Sequence, residues 1–342
     1  MRKGIVAVLN LLIVCGIAAA QGSPALIPKP SIKLTKVEGR MDHLGVDVKG
    51  QRLFATAFDN HTLEVIDLKT GQQVHTIPAL NEPQGAFYDP ATNRLFVACG
   101  GDGTVKIFDG STFQLLQSVT LNLDADNVRF DVRSQHVVVG YGGEKFLAGT
   151  VARPGGGGAL AILDTNGKKI ADIDMDAHPE SFQLEKVGTR VFANVPDKQE
   201  VEVADLIKGK VLARWRVTAC TTNFPMSLDE AHHRLFVGCR LPAKLVVFDT
   251  ESGKIVASPA MVEHTDDLFY DASKGRTYVL VLGEGFIDVW QEKDPDHYER
   301  IQRVPTPADA RTGLFVPNLG DLFETFRHHG AQRAQIDVYE TK

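Results

Sequence analysis

Cysteine is scarce in this chain, positive charge has no excess, and long apolar runs are missing beyond the first residues. With 4 cysteines among 342 residues a disulfide-rich scaffold is excluded, and no Cys-x-x-Cys-His run offers a haem attachment. There is no Gly-x-Ser-x-Gly elbow, and no Gly-Lys-Ser/Thr follows the glycine run Gly155 to Gly158. The motifs of α/β-hydrolases and P-loop enzymes are therefore absent. The 37 Lys and Arg stand against 43 Asp and Glu, net −6 at pH 7, which disfavours nucleic acid and anionic lipid as partners. An apolar content of 43% is ample for a packed core and wrong for a disordered chain.

The first residues read differently from the rest. Met1-Arg2-Lys3 is basic, Gly4 to Ile17 is apolar, and Ala18-Ala19-Ala20 supplies small residues before Gln21, which predicts a secretory signal spanning residues 1–20. The apolar part is shorter than the roughly 20 residues a membrane span requires, so the mature chain is expected in the periplasm or outside the cell, not spanning a membrane. Residues 21–31, with Pro24, Pro28 and Pro30, read as a leader. Export removes Cys15 and leaves Cys99, Cys220 and Cys239 in oxidising surroundings. A hairpin brings Cys220 and Cys239 into one neighbourhood but out of register, and the spacing leaves open whether they bond.

What the chain has in abundance is a repeat. The phrase Arg-apolar-aromatic occurs at Arg52-Leu53-Phe54, Arg94-Leu95-Phe96, Arg190-Val191-Phe192, Arg234-Leu235-Phe236 and Arg276-Thr277-Tyr278, with weaker copies at Gln135-His136-Val137 and Asp321-Leu322-Phe323. Successive copies start 42, 41, 55, 44, 42 and 45 residues apart. A short apolar run ending in Asp follows most copies, as in Val65-Ile66-Asp67 and Ile107-Phe108-Asp109, and opens a turn before a glycine. Short strands at a period of 40 to 45 residues predict an all-β, seven-bladed β-propeller of four-stranded antiparallel blades, one domain over residues 32–342. The last blade has only three strands of its own, and Ile32 to Val37 is free to supply the fourth and close the ring. The 55-residue spacing holds an insertion at residues 144–158, which reads as a surface loop or as a lid over one face.

Polar residues collect where the first strand of each blade begins, at one mouth of the central channel. The openings hold Asp42, His43, Asp126, Asn127, His178, Glu180, Asn223, Asp266, Asp267 and Arg311. Carboxylates facing one another across a funnel raise each other's pKa values unless a cation or ligand offsets them, so this mouth is the candidate site for a polar ligand or a divalent metal. For a metal, Glu180, Asn223 and Asp266 form the expected ligand set. His232-His233 and His328-His329 read as surface turns away from it.

Residues 41 to 342 resemble the bacterial exported YncE-like proteins built from YVTN-type repeats. The likeness rests on Arg94-Leu95-Phe96-Val97-Ala98, on His178 to Glu185, on Asp229 to Arg240 and on Ala310 to Pro317. It implies a seven-bladed propeller of the broad class that includes quinoprotein-like and nitrite-reductase-like propellers, and it brings no agreed reaction or catalytic residue. Two functions follow as expectations. One is a binding platform for a polar ligand or protein partner at the channel mouth. The other is a metal-dependent hydrolase or lactonase in which His43 or His178 moves a proton beside a held cation. Single-stranded DNA binding, known within the resembled group, is a third reading that the acidic balance opposes.

Overall fold

A computed structural model describes residues 23–143, 145–147, 150–153, 157–261, 264–281, 285–308 and 310–342; for 145–147, 150–153, 281 and 311 it describes the backbone alone. The expected signal therefore lies outside the described residues. Seven four-stranded antiparallel sheets surround a common axis. Blade 1 runs through Leu44–Asp47, Arg52–Ala57, Thr62–Asp67 and Gln72–Ile77, and blades 2 to 6 repeat that order outward from the axis. Blade 7 has Ala310–Val316, Asp321–Phe326 and Ala334–Thr341, and its outermost strand is Leu26–Leu34, paired antiparallel with the C-terminal strand.

The ring thus closes as the repeat count demands, although the closing strand starts at Leu26, earlier than Ile32. The leader reading fails for residues 26–31 because an outermost strand needs hydrogen bonds on one side only. Pro28 and Pro30, which lack an N–H, are tolerated there. In blade 3 the insertion forms a hairpin of its own, Lys145–Leu147 with Thr150–Arg153, leaving the sheet where Gly142 pairs with Gly158.

The repeated phrase holds the ring together. Seven apolar clusters are each shared by two neighbouring blades, and each contains the third residue of one copy: Phe54, Phe96, Val138, Phe192, Phe236, Tyr278 or Phe323. In blade 3 the copy is His136-Val137-Val138, one residue later than the sequence suggested, because Asp131 pairs with His136 as Asp47 does with Arg52. All seven side chains are 0 or 1% exposed. The arginine of the phrase adds a polar staple in the same direction. Arg94 Nη1 donates to the Thr165 carbonyl of the next blade at 2.7 Å, Arg190 Nη1 to Thr250 at 2.6 Å and Arg234 Nε to Pro295 at 3.1 Å, while Arg52 reaches Gly110 and Arg276 reaches Lys342. Inner strands crowd at the axis, so Gly45 and Gly85 sit where a Cβ would meet the next blade's backbone at 2.7 and 2.3 Å.

The recurrent Asp residues cap their turns as expected: Asp109 Oδ1 accepts from the backbone N–H groups of Ser111 and Thr112 at 2.9 and 2.7 Å. Cys220 and Cys239 are joined in a disulfide with Cα atoms 6.1 Å apart, and Cys99 is a buried free thiol. A large aromatic wedged between two sheets leaves a cavity when truncated. Phe96→Ala is expected to lower unfolding stability in urea by about 3–5 kcal/mol, and Val187→Ala, at a residue 87% exposed, by no more than about 0.5 kcal/mol. A Phe96→Ala cost below about 1 kcal/mol would contradict the wedge.

Candidate functional site at the channel mouth

Antiparallel blades place the start of each first strand and the end of each second strand at the same mouth. Backbone bonds fix these starts: His43 N donates to the Gln84 carbonyl of the next blade at 3.0 Å, and within their own blades Asp126 N donates to Gly140 at 2.9 Å and Glu180 N to Asn194 at 3.0 Å. The side chains they carry line a cavity of about 310 Å³ with Asp42, His43, Asp126, Asn127, His178, Glu180 and Asp266 among its walls.

His43 stands among three carboxylates. Its Nδ1 is 3.5 Å from Asp267 Oδ2, and its Nε2 is 3.7 Å from Asp42 Oδ1 and 3.9 Å from Asp126 Oδ1. Burial alone would lower the pKa of this imidazole. The fields of Asp267, Asp42 and Asp126, with the Asp267 hydrogen bond, outweigh it and push the value up to about 9. Asp267 is itself oriented by the Gly313 N–H, which donates to Oδ2 at 2.9 Å. The amide nitrogen of Asn127 stands 3.3 Å from His43 Nε2; an imidazolium donates from both nitrogens, so protonation of His43 requires that amide to turn its oxygen inward.

A second group forms on the neighbouring blades. One ligand atom each from Asp126, His178 and Glu180 lie within 4.8 Å of one another. His178 Nδ1 donates to the Gly142 carbonyl at 2.6 Å, at the root of the insertion, and its Nε2 is 3.8 Å from Asp126 Oδ2. With Nδ1 so engaged, Nε2 is the ring nitrogen on the side of Asp126.

The other predicted residues are placed less uniformly. Asp42 and Asp266 line the cavity, but each is held in an ion pair, with Arg40 and Arg240 respectively. Asn223 is 0% exposed, and its Nδ2 donates to Asn194 Oδ1 at 2.9 Å and to the Glu200 carbonyl at 3.0 Å. It packs between blades instead of lining the cavity, so the metal set Glu180, Asn223 and Asp266 is not what the structure brings together; His178 and Asp126 stand beside Glu180. Asn223 pairs with Cys239 as Pro83 does with Cys99 and Thr265 with Val281, and the residue after it, Phe224, lines the cavity in the place that Gln84 and Asp266 take in their blades. Arg311 has its side chain outside the described residues.

Sequence reasoning missed Arg40, Arg240 and Asp124. Arg240 closes the second strand of blade 5, so the antiparallel rule alone would have found it. Its guanidinium stacks 4.0 Å over the Phe224 ring, as Arg40 does 3.8 Å over Phe58. Asp124 accepts from Gln84 Nε2 at 3.1 Å and lies 3.5 Å from His178 Nδ1. His232, set apart from the mouth as expected, is 2.7 Å from Asp229 Oδ2 and 3.3 Å from Glu292 Oε1.

Because the folded-state pKa of His43 is raised, its contribution to stability is complete below the unfolded value near 6.5 and is lost as pH rises through about 9. The difference in unfolding free energy between wild type and His43→Gln is expected to shrink by up to about 3 kcal/mol between pH 6.5 and 9.5. A difference that stays flat over that window would show that His43 is not held as an imidazolium.

No family model matches this chain, and no curated protein matches it. Among solved structures, hydrazine synthase from Kuenenia stuttgartiensis is similar with a TM-score of 0.69 at 14% identity, the match covering 85% of this chain and 94% of that one. At that identity the likeness speaks for the fold alone, which is the seven-bladed β-propeller.

Proposed function

We propose that this chain is an exported binding propeller whose channel mouth takes a small ligand with a positively charged group, a divalent cation being the simplest member of that class. The observation that carries the reading is the mixed donor set of Asp126, His178 and Glu180, gathered within 4.8 Å inside a cavity richer in carboxylates than in cations. Carboxylate and imidazole together suit zinc or manganese. Export and membership of the YncE-like group are supported by the N-terminal signal pattern, by the repeat phrases and by a disulfide, which oxidising compartments preserve.

Turnover fits less well than binding. A hydrolase built here would ask His43 or His178 to accept a proton. His43 keeps its own proton to about pH 9, and His178 Nδ1 is committed to the Gly142 carbonyl. A polyanion such as single-stranded DNA would face Asp42, Asp126, Glu180 and Asp266 at the same mouth.

Melting curves of the mature protein with EDTA and with Zn²⁺, Mn²⁺ or Ca²⁺ test the proposal. A cation at a hundredfold excess over its Kd contributes about 2.7 kcal/mol, so the melting temperature is expected to rise by several degrees. Glu180→Gln is expected to remove most of that rise. Curves that coincide with and without every cation would end the cation reading.

A further inference from the structure

Below the mouth the channel changes character. Each first strand places one residue opposite the phrase position of its own blade. These channel residues are Gly45, Phe87, Arg129, Gln183, Ser227, Phe269 and Leu314, paired with Phe54, Phe96, Val138, Phe192, Phe236, Tyr278 and Phe323. All seven line a second cavity of about 390 Å³, and His43 borders both cavities. Phe130 and Phe315 extend its apolar wall, and the Phe87 and Phe130 rings stack with centroids 5.0 Å apart.

Within this chamber Arg129 is the exception. Every other channel arginine of the described residues has a carboxylate: Arg40 has Asp42 and Arg240 has Asp266. Among the described residues Arg129 makes no ion pair and one hydrogen bond, from Nη1 to the Val128 carbonyl at 3.1 Å, and its guanidinium lies 5.7 Å from the Phe182 ring. Burial pushes its pKa below the ordinary value, with Asp267 and Asp126 offsetting only part of that effect. A guanidinium offers five donors in a planar fork, and four of these find no partner among the described residues. Apart from His43 at its border, the other polar groups of the chamber carry no positive charge: Gln183 Nε2 donates to the Met226 carbonyl at 2.8 Å, Ser227 Oγ accepts from Tyr270 N at 2.9 Å, and the Asp267 carboxylate is engaged by the Gly313 N–H at 2.9 Å.

We infer that the lower chamber is a binding site for a small amphipathic carboxylate, its acid group forked by Arg129 and its aromatic or aliphatic body against Phe87, Phe130 and Phe269. The volume suits a small organic molecule, and a bidentate guanidinium–carboxylate contact supplies both charge and orientation. This site is separate from the cation site at the mouth and stands or falls without it.

Calorimetric titration of the mature protein with benzoate and hexanoate, against benzamide and benzylammonium, tests the assignment. Benzoate or hexanoate is expected to bind at one site per chain and at least tenfold more tightly than benzamide, with no binding of benzylammonium there. Arg129→Gln is expected to lower the affinity at least tenfold, Arg129→Lys to keep part of it, and Gln183→Glu, which adds a negative charge to the same ring, to lower it comparably. Melting curves establish that each variant is folded. The inference is overturned if neither acid binds saturably, if benzamide binds as well as benzoate, or if folded Arg129→Gln retains wild-type affinity.

Discussion

Everything in this propeller depends on how one blade is wedged against the next. The aromatic of the repeated phrase sits on a second strand, fully buried in the apolar cluster between its own blade and the following one. Its cross-strand partner on the first strand shares that face of the sheet and, being on the innermost strand, lines the channel in every blade. One packing contact, repeated around the ring, therefore gives every blade an equivalent residue on the axis. Chemistry at the axis is free to vary because the wedge, not the channel residue, supplies the adhesion.

That separation lets one channel hold two environments. Around the strand starts, carboxylates outnumber cations, and the imbalance is partly settled inside the protein by Arg40, Arg240 and a His43 imidazolium. One step along the same strands the walls turn more apolar, with the Arg129 guanidinium and the Asp267 carboxylate as charged groups. His43 borders both, and Asp267, 3.5 Å from it, lines the lower one. A charged pair at that depth carries both the field that protonates the histidine and a division between chambers of opposite preference.

The architecture was legible because wedging requires an aromatic at fixed spacing, and spacing survives in a sequence. Ring closure was legible for a related reason: Ala334–Thr341 needs an outer neighbour, and the strand containing Ile32 is the segment that supplies it. The strand's earlier start at Leu26 was hidden by prolines, whose usual effect on strands is waived at an outer edge. At the mouth, Asp126, His178 and Glu180 could be assigned to one rim by register, but not their closeness. Asn223 shares that rim in sequence but stands one position before Phe224, which is the residue of its blade that lines the cavity. Arg129 was passed over because an arginine on a strand is ordinarily a solvated or paired group; its isolation is a property of the ring it joins, not of its neighbours in sequence.

The central claim, two chambers of opposite charge preference on one axis, is tested most directly by a crystal structure of the mature protein grown with Mn²⁺ and benzoate together. The account predicts an anomalous peak among Asp126, His178 and Glu180 and a benzoate carboxylate against Arg129, with His43 between them. Manganese and benzoate absent from the axis, or both bound in the same chamber, would contradict it.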